Sequence, residues 1–168
     1  MRKKEIQSCL EALEEKLSEK GVKGEICLYG GAVMCLVYDA RPATKDVDAI
    51  FEPTKIIREA AQEVAQEFKI KKKDWLNDGV KGFLVKHDKK ILFRWPHLKV
   101  YHADPKYLIA MKALAARTDA TDRKDIIFLI KKLKIRSAAE VFNIIEDYYP
   151  RKRIKPATQF FIEEIFEK

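Results

Sequence analysis

Ile6, Leu10, Leu13 and Leu17 recur at three- and four-residue intervals. That is the spacing of one helix face, and it predicts a helix that Gly21 and Gly24 close. The apolar run after it predicts a short strand over 26–29 and then a helix from Gly30 to about Tyr38. A strand is predicted at 46–51, where Val47, Ala49 and Phe51 take one side and Asp46 and Asp48 the other. Pro53 opens another amphipathic helix, marked by Ile56, Ile57, Ala60, Val64 and Phe68. The stretch GFLVKHDKKILFRW reads as a hairpin turning at 87–90, and HLKVYHA as one more strand. From Pro105 onward the pattern is helical, at about 105–117, 121–133, 137–147 and 156–167. The expected fold is α/β of the α+β kind: a small mixed sheet flanked by helices over 1–104, then a helical part over 105–168 packed on it as one compact unit.

Composition narrows the class. The 168 residues are 47% hydrophobic, enough for one substantial core. The net charge of +8 favours an anionic partner, because excess positive charge steers nucleotides, nucleic acids or acidic proteins to a surface. Cys9, Cys27 and Cys35 lack metal-type spacing and lie in apolar or helical stretches, which reads as buried thiols in a reducing cytoplasm. No signal core and no stretch long enough to cross a bilayer is present, so no membrane partner is expected.

The candidate chemistry begins with Asp46 and Asp48. Carboxylates sharing a face oppose each other's ionisation unless a cation sits with them. Paired hard oxygens suit Mg²⁺, which also takes substrate phosphate oxygens; the plainer alternative is that both face water or pair with Lys45 and Arg41. Gly30 and Gly31 follow a predicted strand and open a helix, a turn in which backbone N–H groups can approach a phosphate, or simply a tight connection. TKDVD, Thr44 to Asp48, comes on the very next strand, which would put the phosphate cradle and the carboxylates side by side.

LYGGAVMCL followed by RPATKDVDAIF resembles the signature of the nucleotidyltransferase superfamily that includes DNA polymerase beta. YLIAMKALAARTDATDRKDIIFLIKKL, Tyr107 to Leu133, is similar to the C-terminal motifs of its abortive-infection, AbiEii-like branch. The resemblance implies the nucleotidyltransferase fold and a Mg²⁺-dependent enzyme that binds a nucleoside triphosphate and passes a nucleotidyl group to a hydroxyl. It implies that Asp46 and Asp48 hold metal, that Gly30, Gly31, Thr44 and Lys45 lie at the phosphates, and that Lys112 neutralises them while Arg117, Asp122 and Asp125 complete the pocket edge. It also implies a toxin–antitoxin or phage-defence role, with tRNA, another RNA or a partner protein as acceptor, and an antitoxin as a further partner. On physical grounds Lys112 runs along an apolar stripe set by Leu108, Ile109 and Ala115, so it is either functional or one half of an ion pair with Asp125 that ties two helices.

One feature departs from that pattern. Active members of the superfamily usually place a third carboxylate on a later strand, and LKVYHA, Leu98 to Ala103, has none. That acid commonly serves as the base toward the attacking hydroxyl. Asp78 is the substitute offered by a neighbouring loop, in an Asn-Asp-Gly sequence that also reads as a plain turn; Asp74, Asp88 and Asp104 are further options. Trp75 either stacks a base or belongs to the edge of the core. KIKKK at 69–73 and RKRIK at 151–155 are basic runs that follow a nucleic-acid backbone or simply face water. Two other classes therefore stay open beside the enzyme: a catalytically impaired nucleotide-binding or antitoxin-like module, and a basic nucleic-acid-binding protein. A dinucleotide oxidoreductase is disfavoured, because no G-x-G-x-x-G follows a strand.

Overall fold

A computed structural model describes residues 1–72, 74–115 and 120–167. It divides into two compact units, Met1–Leu84 with Lys89–Ala103, and Val85–Asp88 with Asp104–Lys168. No described helix is long and apolar enough to cross a membrane.

The first unit is built on a mixed sheet. In chain order it has helix α1 (Lys3–Glu19), strand β1 (Gly24–Leu28), helix α2 (Gly30–Leu36), strand β2 (Val47–Glu52), helix α3 (Thr54–Glu67) and strands β3 (Leu76–Asn77), β4 (Lys89–Arg94) and β5 (Leu98–Ala103). The strand order is β3-β2-β1-β5-β4. β1 runs antiparallel to β2 and parallel to β5, β3 is parallel to β2, and β4 is antiparallel to β5. An α+β class with a mixed sheet is thus what the chain forms.

The alternation expected at 46–51 holds within β2: Val47, Ala49 and Phe51 are buried, Asp48 and Ile50 half-buried and Glu52 exposed. Cross-strand partners share a face, so Phe51 lies beside Ile26, Ala49 beside Leu28, and Val100 of β5 beside Ile26. α1 contributes Ile6, Leu10, Leu13 and Leu17 to the core and packs on α3, whose Ile57, Ala60 and Val64 are buried with it. Burying each such aliphatic side chain is worth about 1.5–3 kcal/mol, which is why this stripe rather than helix propensity holds α1.

One local reading, the hairpin over 82–95, differs from the structure in two ways. The apolar residues 82–85 do not form a hairpin arm: Gly79–Phe83 is a 3-10 turn, which the Asn-Asp-Gly sequence before it starts by offering Asn77 Oδ1 to the Gly79 N–H at 3.1 Å. β4 finds its partner on the other side, across the connection 95–97, where Trp95 N–H donates to Leu98 O at 3.0 Å. Trp75 is fully buried and its indole N–H donates to Ala61 O at 2.8 Å, so it is a core residue with its polar edge satisfied. The three cysteines are free and buried as expected, and burial pushes the Cys9 thiol up to about 11.

The second unit contains α4 (Pro105–Ala115), α5 (Ala120–Lys132), α6 (Ala138–Glu146) and α7 (Pro156–Phe166). α4 packs on α5 and α6, and α6 on α7. Ser137 caps α6 by accepting the Glu140 N–H at 3.2 Å, and Pro156 stands at the first turn of α7. Tyr107 is a polar node inside this unit. Its hydroxyl takes the Val85 N–H at 3.3 Å and meets the Tyr149 hydroxyl at 3.2 Å, while His87 stacks on its ring at 3.9 Å.

Trp75→Phe should both leave a cavity where the larger indole is buried and remove the donor to the Ala61 carbonyl, lowering stability by about 2–4 kcal/mol in a urea unfolding series. An unchanged midpoint would mean that neither the buried ring volume nor the indole hydrogen bond holds this part of the core.

Candidate functional site

The end of β1 and the beginning of β2 meet at one place. The β1–β2 ladder pairs Leu28 with Ala49, and one step further the Tyr29 N–H donates to Asp48 O at 2.9 Å. The next residue, Gly30, has φ +55, a left-handed conformation that favours glycine, and with it the chain turns directly into α2. The Asp48 carboxylate stands over this turn: a Cβ on Gly30 would lie 3.0 Å from its Oδ2. Gly31 is equally confined, since a Cβ there would lie 2.5 Å from Thr44 Oγ1 and 2.9 Å from Arg41 Nη2. Bare backbone at the start of α2 is therefore ringed by a carboxylate, a hydroxyl and a guanidinium.

The segment carrying these groups is pinned from the other end of the chain. The N-terminal ammonium donates to Thr44 O, the Thr44 N–H donates to Met1 O at 2.9 Å, and Arg2 bridges to Ala43. Thr44 Oγ1 donates to Asp46 O at 3.2 Å, which shapes the bend that leads into β2. Asp46 lies in this bend rather than in the strand. Its carboxylate holds the Lys72 ammonium. That hydrogen bond, with the charges of Asp46, Asp74 and Asp48 around it, keeps the Lys72 pKa above the ordinary lysine value. Of the predicted residues, Gly30, Gly31, Thr44, Asp46 and Asp48 therefore come together, and Arg41 and Lys72 join them. Lys45 is exposed.

Asp78 follows β3, whose Asn77 is paired with Asp48 of β2. Its carboxylate accepts from Lys81 Nζ at 2.5 Å and Arg58 Nη2 at 2.8 Å. The Lys81 hydrogen bond, followed by the positive charges of Lys81 and Arg58, holds its pKa below the usual aspartate value. A carboxylate held this way stays ionised and is a weak base.

In the second unit Lys112 is buried, with Nζ 2.6 Å from Asp125 Oδ2 and 3.6 Å from Asp122 Oδ1. Asp125 is buried as well, so α4 and α5 are tied by a desolvated ion pair. Arg117 lies outside the described residues.

Among the described residues no group of three or more His, Cys, Asp or Glu side chains is arranged to hold a metal ion. Mg²⁺ does not require one, because it commonly binds through one or two carboxylates and completes its shell with water and substrate phosphates. Asp46 already carries a cation, the Lys72 ammonium, within the field of Asp48 and Asp74. Asp46, which already holds one cation, and Asp48, whose charge reaches that cation, offer the kind of hard oxygens such an ion takes. A groove of about 650 Å³ opens elsewhere, at the far ends of β1 and β2, beside Glu25, Glu52, Thr54, Trp95 and His97; none of the predicted site residues lines it.

Arg41 and Lys72 escaped sequence reasoning. Arg41 was visible only as a neighbour for the aspartates, and Lys72 as one of a basic run, because nothing in local spacing says that a lysine twenty-six residues away returns to Asp46. Compared with protein-family models, with curated proteins and with solved structures, the chain matches none.

Lys112→Ala should cost about 3 kcal/mol or more in chemical denaturation, because it leaves the buried Asp125 carboxylate without this cation. Lys112→Met with Asp125→Leu should recover much of that loss. Equal losses in the single and double variants would show that the pair is not what ties the helices.

Proposed function

We propose that the chain is a Mg²⁺-dependent nucleotidyltransferase with the nucleotidyltransferase fold, acting on a nucleoside triphosphate and a hydroxyl acceptor. The observation that carries this reading is the juxtaposition of the Asp48 carboxylate with the bare backbone of Gly30 and Gly31, with Asp46 two residues before it. Asp46 and Asp48 are the residues that would hold Mg²⁺, whose charge when bound offsets negative charge on the reacting phosphoryl group and on the leaving pyrophosphate. Gly30 and Gly31 let the Asp48 carboxylate, the Thr44 hydroxyl and the Arg41 guanidinium come close to the main chain; in this reading the hydroxyl, the planar cation and the main-chain N–H groups at the start of α2 are the groups that would turn to phosphate oxygens. Holding the triphosphate in one orientation is the larger part of catalysis in such a transfer.

The acceptor is an RNA, with tRNA the first choice, or a protein hydroxyl, and the biological setting is a toxin–antitoxin pair of the AbiEii-like kind. The resemblance of LYGGAVMCL, RPATKDVDAIF and the 107–133 segment supports this, together with the net charge of +8. In this reading Lys112 first holds Asp125, and its role toward phosphate, like that of Arg117, Asp122 and Asp125, rests on the resemblance alone.

A second reading is favoured by one observation. β5 presents Lys99, Val100 and Tyr101 where a third carboxylate would serve as base, and Asp78 is engaged by two cations. A protein so equipped would bind nucleotide with Mg²⁺ and transfer nothing, as a catalytically impaired or antitoxin-like module.

Label transfer separates the two. Each α-labelled nucleoside triphosphate is incubated with Mg²⁺, total tRNA and either wild type or the Asp46→Asn/Asp48→Asn variant. The enzyme reading predicts label on RNA or protein that falls by at least about a hundredfold in the variant. No label, with wild type still thermally stabilised by nucleotide and Mg²⁺, leaves the binding module as the function.

A further inference from the structure

Lys72 sits where the proposed metal site would need to be open. Its ammonium is bonded to Asp46, with Asp48 and Asp74 also close enough to act on its charge. It reaches this position from the coil that follows α3. There Lys69 takes a left-handed conformation, φ +54, and the Ile70 N–H donates to Ala65 O at 2.8 Å to turn the chain back. The lysine side chain is nearly half exposed and Asp46 a quarter exposed, so the pair is made in the presence of water.

We infer that Lys72 is a built-in counter-cation that occupies the Asp46 carboxylate until a divalent ion displaces it. The inference rests on the reading of Asp46 and Asp48 as metal ligands and concerns how that site is held before loading. An ammonium brings one charge and hydrogen bonds; a divalent ion would bring twice the charge, and Asp46 and Asp48 are the residues that would hold it. Exposed lysine–carboxylate pairs are individually weak, so the lysine can give way, while its presence keeps two neighbouring carboxylates from repelling each other across the start of β2. Once displaced, the side chain is tethered within reach of the same site, where the incoming triphosphate supplies negative charge. The site is thus never a bare acidic cluster: it exchanges one cation for another.

This predicts competition. Removing the ammonium should strengthen divalent-ion binding, whereas a lysine that merely braces the loop should leave it unchanged or weaken it. The test is Mn²⁺ binding to the full chain without nucleotide, followed by loss of the free-ion EPR signal, for wild type, Lys72→Ala, Lys72→Arg, Asp46→Asn, Asp46→Asn/Lys72→Ala and Asp46→Asn/Asp48→Asn. Lys72→Ala should bind Mn²⁺ about three- to fivefold more tightly than wild type, and Lys72→Arg should stay close to wild type. The gain should vanish in the Asp46→Asn background, because the lysine acts through that carboxylate.

Wild-type binding that is lost in Asp46→Asn/Asp48→Asn but equal or weaker in Lys72→Ala would overturn the counter-cation role and leave the metal site standing. Absence of Mn²⁺ binding in both wild type and Lys72→Ala would overturn the metal site itself, and the role of Lys72 with it. Circular dichroism of Lys72→Ala confirms that the comparison is made between folded proteins.

Discussion

The antiparallel register between Gly24–Leu28 and Val47–Glu52 is the constraint on which the candidate site depends. It puts Ile26, Leu28, Ala49 and Phe51 on one buried face, and a slip of one residue would turn that whole set to the other side. Because the register is fixed by burial, the ends of the two strands are fixed with it. Tyr29 is hydrogen-bonded to Asp48, Gly30 turns the chain at that point, and the carboxylate of Asp48 stands over the turn. Apolar packing on one face of the sheet thereby places charge at its edge.

Charge around that edge is arranged rather than merely abundant. Lys72 answers Asp46, Arg58 and Lys81 answer Asp78, and Arg41 lies by Gly31 and Thr44. The difference between these cations is what each leaves available. Asp78 is held by two at once and is a poor proton acceptor, whereas the pair at Asp46 is single and open to water. The ligands proposed above, a hard divalent ion and a polyphosphate, carry charges that suit such a mixture of carboxylates, backbone N–H groups and a guanidinium. The ion pair of Lys112 with Asp125 is of another kind, desolvated on both sides and suited to fixing α4 against α5.

Much of this was legible in the chain. Ile6, Leu10, Leu13 and Leu17 announced α1, alternation at 47–51 announced β2 and its exposed side, and the helices after Pro105 fell where their apolar spacing put them. Those features are local, and periodicity records them. The hairpin at 82–95 was misread because Phe83, Leu84 and Val85 look like a strand, while the partner of β4 is chosen by contacts across 95–97 that the apolar pattern does not carry. β3 has only two residues, too few for any period, yet it sets Asn77 beside Asp48. For the site, the Gly-Gly turn and the Asp-x-Asp pair could be named from spacing, although Asp46 stands in the bend before β2 rather than in the strand. The cations that complete it could not, since Arg41 and Lys72 arrive through loops whose paths depend on the N-terminal anchor at Thr44 and on the end of α3.

Calorimetric titration of a non-hydrolysable nucleoside triphosphate into the protein, with and without Mg²⁺, tests the central claim most directly when wild type is compared with Asp48→Asn. Binding that requires Mg²⁺ in wild type and is lost in Asp48→Asn is the predicted result. Binding indifferent to both Mg²⁺ and the substitution, or no binding at all, would contradict a nucleotide site built on the Asp48 carboxylate and the Gly30 turn.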